Sequence, residues 1–163
     1  MPFDISLVEK DARMSSEPRV LVVENNDALR VLLFTILRYQ PLAVDTASNA
    51  EEAMEKAAAC DYALIIVDAD MPADDALTFV TSFREQRPEA TTFVLAIRDP
   101  NGEAVLDPAL VNAVMHKPIE LDTLAELVRE CAMVVPPPED PLPCAPAESE
   151  IRWKLERGSY IEN

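Results

Sequence analysis

Short runs rich in apolar residues recur along the chain and are separated by longer segments with helical periodicity. In the run L-I-I-V no polar residue interrupts the pattern, which is typical of a strand buried on both faces. Five such runs predict strands, the last of them weakly, at residues 20–23, 42–46, 63–67, 93–97 and 112–115.

Between these runs, apolar residues recur three and four positions apart, which predicts amphipathic helices. Three stripes show this spacing: Leu29, Leu32, Leu33, Ile36 and Leu37; Ala76, Phe79, Val80 and Phe83; and Leu121, Leu124, Val128, Cys131 and Val135. Ser48 and Glu51 have the spacing of a capping box, which predicts an alanine-rich helix up to about Cys60. Before the fifth strand, Pro108 interrupts any helix, and Asn101-Gly102 favours a turn. The fourth helix is therefore expected to be short.

Apolar strands that alternate with amphipathic helices predict an α/β fold with a parallel sheet covered on both faces. Five βα units within residues 19–135 indicate an open, doubly wound five-stranded sheet. Residues 1–18 are predicted to be an N-terminal extension. Residues 136–163 hold six of the 14 prolines, so we expect a linker or tail, with a short helix from Glu148 to Tyr160.

Charge and glycine content narrow the function classes. Thirty acidic and 14 basic side chains give a net charge of −16, which argues against binding of nucleic acid or of an anionic membrane. The two glycines, Gly102 and Gly158, lie far apart, which excludes a Walker loop and a dinucleotide-binding fingerprint.

The cysteines and the N-terminus indicate the cellular compartment in which the protein is expected. The three cysteines, Cys60, Cys131 and Cys144, lack metal-ligand spacing, and His116 is the single histidine, which argues against structural zinc. We expect reduced cysteines in packing or tail positions. No apolar run approaches the length of a membrane span, and the N-terminus does not resemble a secretory leader. A cytoplasmic protein is expected.

Charged residues follow the predicted strands, where parallel sheets bind ligands. Glu24 and Asn25 follow the first strand, Asp68 and Asp70 the third, and Lys117 the fifth. Clustered carboxylates need a compensating cation, and oxygen-only ligation suits Mg²⁺. A carboxylate beside Mg²⁺ can attack phosphorus and form an aspartyl phosphate, while the metal and a lysine offset the charge of the transferring group.

Three segments carry a family resemblance: V-L-V-V-E-N-N-D at 20–27, L-I-I-V-D-A-D-M-P at 64–72 and H-K-P-I at 116–119. In this order and spacing they resemble the receiver domain of two-component response regulators, a CheY-like domain with a flavodoxin-like fold. The resemblance implies that Asp68 is the phosphoacceptor and that Lys117 contacts the phosphoryl group. It implies a cis peptide bond before Pro118.

The same resemblance implies a Mg²⁺ site. Glu24 and Asn25 occupy the positions of the acidic pair that places the metal, Asp68 is a ligand, and Asp70 contributes its main-chain carbonyl. Because one acid of the pair is an asparagine, we expect weakened Mg²⁺ binding.

Two further departures concern the conformational switch of the family. Ala96 is aligned with the threonine or serine at the end of the fourth strand, and Val114 replaces the aromatic residue of the fifth strand. Both parts of the usual hydroxyl–aromatic switch are thus absent.

Three functions stay open from sequence. The first is a phosphoacceptor receiver that is not a turnover enzyme and at most dephosphorylates itself. Its partners would be a sensor histidine kinase or phosphotransfer protein, and a downstream protein or a C-terminal effector domain beyond these residues, with no membrane or direct nucleic-acid contact. The second is a pseudo-receiver, a phosphorylation-independent interaction module. The third, remote alternative is a phosphatase that uses the Asp-x-Asp pattern of Asp68 and Asp70.

Overall fold

The computed structural model describes residues 17–151 and contains one parallel sheet with helices on both faces. The strand order is β2-β1-β3-β4-β5, and every neighbouring pair is parallel. The strands are β1 (Arg19–Val23), β2 (Ala43–Ala47), β3 (Leu64–Asp68), β4 (Phe93–Arg98) and β5 (Ala113–His116). The helices are α1 (Asp27–Leu37), α2 (Ala50–Ala59), α3 (Asp75–Gln86) and α4 (Leu121–Val134). The predicted doubly wound α/β fold is confirmed.

The central strands bury side chains on both faces of the sheet. In β3, Ile65 and Val67 pack on the side of α2 and α3, whereas Leu64 and Ile66 pack on the side of α1 and α4. This two-sided burial explains the uninterrupted apolar run of β3. The stripe predicted for α3 is buried as expected: Ala76, Phe79, Val80 and Phe83. In the part of the chain that the structure describes, none of the helices is long and apolar enough to cross a membrane.

The connection between β4 and β5 contains no helix within residues 99–112, so the expectation of five βα units with a short fourth helix is wrong. The segment instead covers the sheet with turns, and Leu106, Leu110 and Val111 pack on the α2/α3 side. The side chain of Arg84 donates hydrogen bonds to the carbonyl of Leu110 (3.2 Å) and to the side chain of Asn112 (3.0 Å). Hydrogen bonds from the Arg84 side chain therefore fix the connection between β4 and β5 against the rest of the domain, although a short helix was expected in this connection.

The cap of α2 lies one residue later than predicted. Asn49 is the N-cap, and its Oδ1 accepts a hydrogen bond from the Glu52 amide at 2.8 Å. The Glu52 carboxylate in turn accepts from the Ser48 amide at 3.1 Å. Ser48 and Asn49 are both strong capping residues, and β2, which ends at Ala47, determines which of them starts the helix.

The proline-rich stretch packs along β2, the edge strand of the sheet. The Val44 amide donates to Ser149 Oγ at 2.8 Å, and the Thr46 amide donates to the Glu148 carboxylate at 2.9 Å. Ala147 between them is fully buried. The tail thereby satisfies outward-facing N–H groups that an edge strand leaves unpaired. A helix begins at Glu148 as predicted, and its predicted remainder up to Tyr160 lies outside the described residues, as do residues 1–16 of the predicted N-terminal extension.

Two of the three cysteines are paired. Cys60, at the end of α2, is joined to Cys144 of the tail as a disulfide with Cα atoms 5.1 Å apart. For this pair the expectation of reduced cysteines in packing or tail positions is corrected, because the tail folds back onto α2 and brings them together. Cys131 in α4 is a partly buried free thiol.

Candidate functional site

The carboxyl ends of β1, β3 and β5 bring three charged side chains together. Glu24 directly follows β1, Asp68 is the last residue of β3, and Lys117 directly follows β5. The Lys117 ammonium donates hydrogen bonds to both carboxylate oxygens of Asp68 at 3.1 Å. Asp68 and Glu24 are only 5% and 2% exposed. The residues predicted from sequence as phosphoacceptor and lysine therefore form one ion pair, in which Asp68 is buried and Lys117 half-buried.

Asp70 belongs to the same ion-pair network. Its amide donates to Asp68 Oδ1 at 2.9 Å, and its own carboxylate lies 3.2 Å from the Lys117 ammonium. Burial lowers the pKa of Lys117, but hydrogen bonds to Asp68 and Asp70 raise it, and the net shift is upward. Lys117 is thus a permanent cation between two carboxylates. The peptide bond between Lys117 and Pro118 is cis, as expected.

Glu24 is an unusually weak acid in this site. Burial is the main cause, and a hydrogen bond with the Asp68 carboxylate adds to it, so that the pKa of Glu24 rises from 4.5 to about 8. The Asn26 amide donates to Glu24 Oε1 at 3.0 Å and opposes this shift. At neutral pH the Glu24 carboxyl group is therefore largely protonated.

The raised pKa of Glu24 predicts that the metal-free fold loses stability as the pH rises. Between pH 4.5 and pH 8 the unfolded chain releases this proton while the folded chain keeps it, so the free energy of unfolding falls through that range. A Glu24→Gln variant should show a flatter pH profile and be more stable than the parent at pH 8.5 by about 1–3 kcal/mol.

Urea unfolding in EDTA at several pH values from 5 to 8.5 measures this effect. Glu55→Gln is the matched control, because Glu55 is exposed on α2 and should leave the pH profile unchanged. An equal pH slope in the parent and in Glu24→Gln would show that Glu24 does not titrate in this range.

The oxygen donors at this edge fit the chemistry of Mg²⁺. Within residues 17–151, no three acidic, cysteine or histidine side chains are arranged as a metal centre. A metal would therefore be held by two carboxylates, of Glu24 and Asp68, with neutral oxygens completing the set. The Asp70 carboxylate is already engaged by Lys117 and by the Asp99 amide (2.7 Å), so a metal ligand from this residue would be its main-chain carbonyl. A divalent cation at this edge would relieve the repulsion between the two buried carboxyl groups, of Glu24 and Asp68.

The end of β4 differs from the prediction. Ala96 is fully buried beside Val67, whereas β4 continues to Arg98. The residue at the strand end is therefore Arg98, and the assignment of Ala96 to that position is wrong. Val114 lies next to Ala96 on β5 and is 44% exposed. The sequence places Arg98 directly after the predicted run 93–97, but sequence analysis assigned it no role.

Gly102 was noted in the sequence only as part of a turn. A Cβ atom at Gly102 would lie 2.6 Å from Asp70 Oδ1 and 3.1 Å from the Asp99 carbonyl oxygen. A side chain at residue 102 would force the Asp70 carboxylate to move, so its absence lets the turn at 99–102 approach Asp70 closely. The start of the β4–β5 segment is thus packed directly against the candidate site.

A comparison with known families matches the model of the response regulator receiver domain to residues 20–129. A protein-glutamate methylesterase/protein-glutamine glutaminase of Archaeoglobus fulgidus is 32% identical over 123 residues, covering 71% of this chain and 35% of that protein. The transcriptional regulatory protein ResD of Bacillus subtilis is 33% identical over 73 residues, covering 45% of this chain and 30% of that protein. The chain thus spans about a third of the length of these curated relatives.

Solved structures with the same fold were found as well. The response regulator TrrA of Thermotoga maritima, in complex with Mg²⁺ and BeF, has a TM-score of 0.60 at 27% identity and covers 70% of this chain and 98% of its own. The receiver domain of Ssk1 of Saccharomyces cerevisiae, solved with the histidine phosphotransfer protein Ypd1, has a TM-score of 0.64 at 21% identity. It covers 76% of this chain and 95% of its own.

Proposed function

The chain belongs to the response regulator receiver domain family of two-component systems, and from that premise we propose that Asp68 is its phosphoacceptor. The observation that carries the proposal is the contact between the half-buried Lys117 and both oxygens of the buried Asp68. This contact places a nucleophilic carboxylate and a fixed cation at the carboxyl edge of the sheet, where parallel sheets bind ligands.

The chemistry follows from these two side chains. A carboxylate oxygen of Asp68 attacks phosphorus, the bond from phosphorus to the donor group breaks, and the donor keeps the electron pair. Lys117 can move from the Asp68 oxygens to the phosphoryl oxygens and offset their charge. The amide of Asp70 continues to orient Asp68 through Oδ1. The product is an aspartyl phosphate on residue 68.

We propose Mg²⁺ as the cofactor, held by the carboxylates of Glu24 and Asp68, the main-chain carbonyl of Asp70 and an oxygen of Asn25. When bound, Mg²⁺ supplies positive charge that draws the phosphoryl oxygens to the site. TrrA, which binds Mg²⁺ and BeF in its crystal structure, supports this cofactor class. Asn25 brings no charge, so the affinity for Mg²⁺ is expected to be lower than for a pair of acids.

As partners we propose a sensor histidine kinase or phosphotransfer protein, as Ypd1 is for Ssk1, and a downstream protein or effector domain that reads the phosphorylated state. The net charge of −16 argues against direct contact with nucleic acid. We propose a cytoplasmic location, a compartment whose reductants can open the Cys60–Cys144 disulfide. We also propose that this chain is not a turnover enzyme and at most dephosphorylates itself.

The proposal is tested on the whole chain with small phosphodonors. With acetyl phosphate or phosphoramidate and millimolar Mg²⁺, intact-mass spectrometry should show one added phosphoryl group, and the same incubation in EDTA should show little or none. Absence of an adduct with every donor at saturating Mg²⁺ would contradict the proposal and favour a phosphorylation-independent interaction module.

A further inference from the structure

Arg98 lies between the two strands that supply the phosphoacceptor and the lysine. Ile97 is the register partner of Asp68 on β3, and Arg98 is the partner of His116 on β5. The Arg98 carbonyl accepts a hydrogen bond from the Lys117 amide at 2.8 Å. Neighbouring strands lie about 4.8 Å apart, so the Asp68 edge is within the length of an arginine side chain.

The guanidinium of Arg98 is a cation without a matching anion. Among the described residues, no carboxylate lies within salt-bridge distance of it, although several acidic groups surround this edge of the sheet. Its Nη2 donates to the Gly102 carbonyl at 3.0 Å, and its Nε is buried without an acceptor in residues 17–151. A buried donor without a partner costs free energy that a new acceptor would recover.

We propose that Arg98 takes the place of the missing switch hydroxyl by donating hydrogen bonds to the phosphoryl group on Asp68 and releasing the Gly102 carbonyl. The inference rests on the proposed function, because phosphorylation of Asp68 supplies the anion. A phosphoryl group brings a charge of about −1.5 to −2 and several acceptor oxygens, which match the planar fork of a guanidinium.

Release of Gly102 couples the site to the β4–β5 segment. In the structure, Arg98 holds the Gly102 carbonyl, and the Asp99 amide holds the Asp70 carboxylate at 2.7 Å. When Arg98 turns to the phosphoryl group, residues 99–112 lose one of the contacts that fix their start. The segment carries the exposed Val105 and lies on the same side of the sheet as Val114. Its rearrangement is therefore the signal that a partner protein would read.

The test uses Mg²⁺ and beryllofluoride as a phosphoryl mimic on the whole chain. For the parent we expect saturable binding, a shift of the Arg98 Nε–H resonance and faster hydrogen exchange of the amides in 99–112. Arg98→Gln should bind the mimic about tenfold or more weakly, because a charge-assisted hydrogen bond is lost. In Arg98→Gln, the amides in 99–112 should exchange their hydrogens faster than in the mimic-free parent, whether or not the mimic is present. Arg98→Lys should recover part of the affinity.

Two control variants distinguish the proposed role of Arg98 from the loss of any positive charge and from any loosening of residues 99–112. Arg129→Gln removes one charge from the exposed side of α4 and should change neither readout. Arg84→Gln removes the hydrogen bond to the Leu110 carbonyl. It should speed hydrogen exchange of the amides in 99–112 without weakening the binding of the mimic.

The role of Arg98 would be overturned if the parent and Arg98→Gln bound the mimic with equal affinity, if their amides in 99–112 exchanged at equal rates, and if the Arg98 Nε–H resonance of the parent did not move. That result would leave the proposed phosphorylation of Asp68 intact. If the parent itself binds no mimic, the role of Arg98 and the proposed function are both contradicted. The parent resonance decides the question even if Arg98→Gln does not fold.

Discussion

An Asp68→Asn variant is expected to lose the phosphoryl adduct completely. The amide has no carboxylate oxygen to attack phosphorus, and no other acid in the site is paired symmetrically with the lysine as Asp68 is. The fold should survive, because asparagine has nearly the same shape as aspartate and Lys117 keeps its contact with the Asp70 carboxylate. Intact mass after incubation with phosphodonor and Mg²⁺ measures the adduct, and thermal unfolding checks the fold.

Asp70→Asn is the matched control for this result. Asp70 lies two residues away and also contacts Lys117, but its carboxylate is held by the Asp99 amide. We expect Asp70→Asn to keep an adduct, with an altered rate. An adduct of unchanged yield on Asp68→Asn would show that the phosphoryl group goes elsewhere.

Removal of residues 136–163 is expected to destabilise the domain by about 3–5 kcal/mol, a large share of the roughly 5–15 kcal/mol of a typical domain. The Val44 and Thr46 amides on the β2 edge would lose their tail acceptors. The Lys56 ammonium would lose the Glu148 carboxylate at 2.6 Å, and the Arg19 guanidinium would lose the Ala145 carbonyl at 2.7 Å. The thermal midpoint should fall by roughly 10–20 °C.

Calorimetry of the full and shortened chains, both under reducing conditions, measures this loss without the Cys60–Cys144 link. Glu139→Gln is the control within the tail, because its side chain is exposed and should leave the midpoint unchanged. Equal midpoints for the two chains would mean that the tail contacts contribute nothing to stability.

Sequence predicted the sheet well because the central strands are buried on both faces, so that burial appears as a local apolar run such as 64–67. Sequence analysis placed Asp68 and Lys117 in one site because both follow predicted strands and lie in segments, 64–72 and 116–119, that resemble those of receiver domains. The parallel sheet then brings them together, as the rule for strand ends requires.

Other features depend on contacts between distant residues and leave little local signal. The end of β4 at Arg98 is fixed by its pairing with β5, so a pattern within 93–97 stops one residue short. The tail contacts join Val44 to Ser149 across most of the chain, and a proline-rich composition predicts only an extended segment. The pKa of Glu24 is raised because its carboxyl group is buried beside Asp68, and no local sequence pattern predicts that contact.

The most direct test of the central claim is to locate the phosphoryl group on the chain. After incubation with a phosphodonor and Mg²⁺, borohydride reduces an aspartyl phosphate to homoserine, and peptide mass spectrometry identifies the altered residue. The account predicts one conversion, at Asp68, which disappears when EDTA replaces Mg²⁺. Conversion at Asp70 or at another acid, or none at all in a chain that carries the adduct, would contradict it.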